Sequence, residues 1–130
     1  MRCMYLTFCM VFLAMRYSFA VSAAVQTDYP PQSLLQLLKE HVLMEALDGK
    51  IVYILNQPLH ANSLVTSWQD TYSVPGQFER AWFIFVDDLP NANWEHACRY
   101  VFIDVETKKY TIEQGRTPPT VLGDMILLYP

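Results

Sequence analysis

The chain has 130 residues, a formal net charge of −4, and 52% hydrophobic against 17% charged residues. That length fits one domain with a modest core. An acidic balance with no basic stripe excludes a nucleic-acid partner, since phosphates reward clustered Lys and Arg.

The first elements in chain order are those of an export signal. Arg2 precedes an apolar run from Cys3 to Met15, and the small residues Val21-Ser22-Ala23-Ala24 follow. A basic start, a short apolar stretch and an A-x-A-like end describe a secretory signal peptide. The expectation is a leader over 1–24, cleaved after Ala23 or Ala24, and one domain over 25–130. The location is then secreted or periplasmic, with membrane attachment only through an uncleaved signal segment. Losing Arg2 and Arg16 with the leader makes the remainder more acidic still. Losing Cys3 and Cys9 leaves Cys98 as the only thiol, so no internal disulfide is expected.

After the extended lead-in Val25–Pro31, Leu34, Leu35, Leu38, Val42 and Ala46 recur at helical spacing. The pattern predicts one amphipathic helix from about Gln32 to Leu47, stopped by Asp48-Gly49. Lys50–Asn56 is rich in β-branched and aromatic residues and ends before Pro58, which predicts a strand. The stretch 57–79 reads mostly as loop, with a short strand around Ser63–Trp68 and a turn at Pro75-Gly76. Arg80–Val86 is apolar on both alternating faces, as in a strand covered on both sides. Ala97–Val105 predicts a second such strand, and Lys109–Gln114 a third at an edge. The apolar tail 120–130 either packs back or adds a strand. The fold class expected is α+β, with one N-terminal amphipathic helix packed on an antiparallel sheet of about four strands.

Candidate chemistry centres on residues 91–100, NANWEHACRY. On a strand, His96, Cys98, Tyr100, Phe102 and Asp104 share one face, because side chains alternate. Cys98 then lies in an aromatic row, the setting of a buried thiol rather than of a thiolate, which needs nearby positive charge or a helix N-terminus. His96 and Cys98 form a catalytic pair only if this is a small secreted thiol enzyme, in which His41 is the other candidate base. The single remaining Cys and scattered His residues make no structural zinc set, so no metal and no cofactor are expected. Asp87 and Asp88 are adjacent on a strand end and face opposite ways, which suits turn formation better than acid/base work. Trp68 and Trp94 fall on loops, and exposed Trp is enriched in binding hot spots. The binding set is therefore Trp68, Trp94, Asp87, Asp88 and His96.

The Leu-rich helix, Arg80–Val86, Tyr100–Asp104 and Glu106-Thr107-Lys108-Lys109-Tyr110 together resemble the PepSY-type modules of bacterial secreted proteins and protease propeptides. Lys108 stands where that family's Thr-Gly turn has Gly. The resemblance implies a non-catalytic module that binds or restrains a protease or another envelope protein. The expected function is thus a secreted binding module, propeptide- or inhibitor-like, with a protein partner such as a protease. The alternatives are the thiol enzyme and a structural subunit of a surface assembly whose tail, 125–130, joins a neighbour's sheet edge.

Overall fold

The computed structural model describes residues 30–130. The signal-peptide reading of 1–24 lies outside them. The described residues open with a short helix, α1 (Ser33–Leu37), which widens into a π-helical turn over Leu38–Val42. Eight strands follow: β1 (Ile51–Ile54), β2 (Leu59–His60), β3 (Leu64–Thr66), β4 (Thr71–Ser73), β5 (Arg80–Asp87), β6 (Cys98–Asp104), β7 (Tyr110–Gly115) and β8 (Ile126–Tyr129). Among the described residues no helix is long and apolar enough to cross a membrane.

The main sheet runs β7-β6-β5-β1-β8, and β2 also pairs with β5. All of these pairings are antiparallel. Both β1 and β2 use one edge of β5, with β1 against residues 84–87 and β2 against Arg80 and Ala81. Pro58 falls between them, where a residue without an N–H donor suits the gap in the ladder.

This architecture corrects the expected α+β domain of one helix on about four strands. The described residues are mostly antiparallel sheet, with six strands in one sheet, a separate β3–β4 hairpin, one ten-residue helical segment and a three-residue 3-10 turn at Leu122–Asp124. Two segments account for the difference. The stretch 57–79, expected to be mostly loop, forms β3 inside the short strand expected around Ser63–Trp68, and adds β2 and β4, each too short to show a period. The tail forms β8 and pairs with β1 of its own chain.

The helix also ends earlier than the expected Leu47. Position 43 of a regular helix lies about 180° round from Leu34 and faces solvent. The wide turn, closed by the Leu43 N–H on the Leu38 carbonyl at 2.8 Å, buries Leu43 beside Leu38 and Val42. Met44 then takes a left-handed φ of 52° and ends the helix. Ala46, expected on the buried face, is exposed, while Leu47 folds back into the core.

The sheet is covered on both sides, as the pattern of Arg80–Val86 requires. On one face Leu34, Leu38 and Val42 pack on Trp82, Ile84 and Val101. On the other, Val65, Tyr72 and Val74 from the β3–β4 region cover Phe83, Phe85, Cys98, Tyr100 and Phe102. Tyr72 stacks on Tyr100 with ring centroids 3.8 Å apart, and Phe83 lies 5.8 Å from Tyr100 and 5.4 Å from Phe102. Such pairs add about 0.5–1.5 kcal/mol each beyond the area they bury.

The β6–β7 turn is fixed by Asp104, whose carboxylate accepts the Thr107 N–H at 2.8 Å and hydroxyl at 2.5 Å. Burial on its own would raise the Asp104 pKa. The Thr107 bonds, with Lys108 and Lys109 nearby, hold it below the usual carboxylate range instead. Lys108 closes the turn in the left-handed region at φ 62°.

Gly115 allows the aromatic layer to close. A Cβ there would lie 2.7 Å from a Tyr100 ring carbon and 2.9 Å from the Tyr72 hydroxyl. Gly115→Ala should therefore destabilise the protein by about 1–3 kcal/mol, read as a lower urea midpoint with an unchanged m-value. An unchanged midpoint would mean that the aromatic stack yields freely.

Candidate functional site

Three chain segments meet at one end of the sheet. The first is the β3–β4 turn. Ser67 accepts the N–H groups of Gln69 at 3.3 Å and Asp70 at 3.0 Å through its hydroxyl, and its own N–H reaches the Asp70 carbonyl at 2.8 Å. This compact turn leaves Trp68 outside, 83% exposed.

The second segment is the β5–β6 loop. Asp87 starts it by accepting the Leu89 N–H at 3.1 Å through Oδ1, a side-chain-closed turn that Asp forms readily. At the far end the His96 N–H donates to the Arg116 carbonyl at 3.0 Å. Between them Trp94 stands 88% exposed. The third segment, 116–118, follows β7 and is held from below. The Tyr100 hydroxyl donates to the Thr117 carbonyl at 2.6 Å, and the Cys98 thiol donates to the same oxygen at 3.6 Å.

Side chains tie the three segments together. The Glu95 carboxylate accepts from the Gln69 amide and lies 3.6 Å from the Arg116 guanidinium. The result is a groove of about 670 Å³, with Trp68, Trp94, His96, Arg116 and Pro118 in its lining. His96 is the most constrained of these. Its Nδ1 lies 2.6 Å from the Trp94 carbonyl, and its Nε2 lies 2.8 Å from Asp87 Oδ1. The Trp94 carbonyl, working against burial and together with Asp87 and Asp88, raises the His96 pKa.

Of the residues singled out in the sequence, Trp68, Trp94 and His96 meet at this groove, and Asp87 stands behind it through His96. Asp88 does not join them. It faces the opposite side of the sheet, where it accepts from Lys50 at 2.8 Å and from Arg99 at 2.6 and 3.0 Å, while Arg99 also bonds Glu45. Gln69, Arg116 and Pro118 carry no signal in the sequence, because their role exists only once distant segments converge.

Cys98 belongs to the core. It is 1% exposed beneath the groove, and burial, with Asp87 and Asp88 adding to it, pushes its pKa up to about 11. The row Cys98, Tyr100, Phe102 is buried along one face of β6, as the alternation implies. His41 and His60 are exposed on other elements. Among the described residues no group of three or more His, Cys, Asp or Glu side chains is placed to hold a metal ion.

Comparison with protein-family models, with curated proteins and with solved structures gave no significant match.

Side chains so exposed contribute little to folding. Trp68→Ala and Trp94→Ala should each shift unfolding free energy by no more than about 0.5 kcal/mol in urea titrations. A loss of about 2 kcal/mol or more from either would make that ring a structural element instead.

Proposed function

We propose that this chain is an exported, non-catalytic binding module that engages a protein partner through the Trp68–Trp94 groove. The observation that carries the reading is the convergence of two tryptophans, 83% and 88% exposed, on one groove from separate loops. Large rigid rings around a pocket with a polar rim are the usual make-up of an interface hot spot. The ties from Glu95 to Gln69 and Arg116 hold the rim in place before any partner arrives, which lowers the ordering cost of binding.

The buried, protonated state of Cys98 supports the non-catalytic half of the reading, since a nucleophilic thiol must be ionised and within reach. Export rests on the leader-like 1–24 sequence. The partner class, a protease or another envelope protein, rests on the PepSY-type resemblance. Lys108 adds to that support, because it adopts the left-handed backbone that the Gly of a Thr-Gly turn adopts without strain.

The test is affinity capture from the source organism's own culture medium, comparing the wild type with the Trp68→Ala/Trp94→Ala double variant. Any protein retained by the wild type should bind the folded double variant at least about 30-fold more weakly, corresponding to about 2 kcal/mol at a hot spot. Equal retention by both proteins, or an equal loss on changing the exposed Leu127 of β8, at the opposite edge of the sheet from β7, would remove the groove from the function.

A further inference from the structure

His96 holds two acceptors at once, a backbone carbonyl on Nδ1 and a carboxylate on Nε2. A neutral imidazole carries one N–H and one lone pair, so it satisfies only one of them; an imidazolium donates to both. We propose that His96 is a proton-operated latch on the loop that carries Trp94. Protonated, it ties the Trp94 carbonyl to Asp87 and fixes one wall of the groove. Neutral, it keeps Nε2–H on the Asp87 carboxylate, the stronger charge-assisted bond, and turns the Nδ1 lone pair against the Trp94 carbonyl. Two lone pairs cannot stay 2.6 Å apart, so the Trp94 segment moves away.

The surroundings favour the protonated form from several elements. Asp87 ends β5 and Asp88 follows it, and both carboxylates attract the imidazolium. Glu95, next in the loop, is engaged by Gln69 and Arg116, so its charge is largely answered. Arg116, after β7, offers its carbonyl to the His96 backbone N–H and points its cation at Glu95. Cys98, at the start of β6, stays a neutral thiol through the physiological range.

The sign follows from the raised His96 pKa. The latch is fully closed below the unfolded value of about 6.5 and opens as pH rises through the higher folded value. Partner binding should then be strongest in mildly acidic surroundings. That consequence rests on the groove being the binding surface, whereas the latch itself does not.

The test reads the loop without any partner. In protein carrying Trp68→Phe, Trp94 is the only exposed tryptophan, because Trp82 is buried. Its fluorescence anisotropy should be high and constant in acid, then fall with a midpoint above about 6.5 while far-UV circular dichroism stays flat. His96→Gln should abolish the transition, although His41 and His60 remain. Asp87→Asn should move the midpoint down, which keeps the test decisive if the Gln variant fails to fold. Anisotropy flat between about pH 5 and pH 8.5, a transition that survives His96→Gln, or one accompanied by unfolding would overturn the latch. Loss of partner binding in the tryptophan variants bears on the groove and leaves this result untouched.

Discussion

The burial of β5 on both faces governs the rest of the molecule. Residues 81–86 are all buried, with alternate side chains in two separate cores. Each large apolar side chain taken from water contributes about 1.5–3 kcal/mol, so neither face can be left open. A single helix covers only one of them. The second cover must come from the remaining chain, and the β3–β4 hairpin with the 116–125 segment provides it. The strand count rises above the expected four for that reason, since short pieces laid over the second face or along a free edge satisfy their backbones by pairing.

The second core also places the groove. Cys98 and Tyr100 project from β6 into the aromatic layer, and both donate to the carbonyl of Thr117. Arg116 and Pro118, on either side of that residue, line the groove. Tyr72, stacked on Tyr100, belongs to the hairpin whose turn presents Trp68. The rim of the recognition surface is thus seated on the packed aromatic layer, with Gly115 leaving room for the contact. A rigid base under exposed rings is what a pre-organised binding face needs.

Legibility in the sequence followed local signal strength. β5, β6 and β7 were readable because their apolar runs or alternation extend over six to eight residues. The helix start was readable from Leu34 and Leu38, but its end was not, because the stripe continues through Ala46 while Met44 breaks the backbone. Strands of two or three residues, such as β2 and β4, carry no period at all. Trp68 and Trp94 could be picked out as loop residues, and His96, Cys98 and Tyr100 placed on one face. That Trp68 and Trp94 share a groove was not readable, since the Gln69–Glu95 and Cys98–Thr117 contacts join residues far apart in the chain. Asp88 follows the alternation expected of neighbouring strand residues: it faces away from Asp87, and its carboxylate bonds Lys50 and Arg99.

The central claim is that Cys98 serves the core and recognition belongs to the surface above it. The rate at which a small thiol reagent modifies Cys98 in the native protein, followed across pH and with added denaturant, tests this most directly. Labelling that is slow, that shows no ionisation below about pH 8.5 and that is released only on unfolding is the predicted result. Rapid native-state labelling with an apparent pKa well below about 8.5 would mean an activated thiolate, and would contradict the account in favour of thiol chemistry.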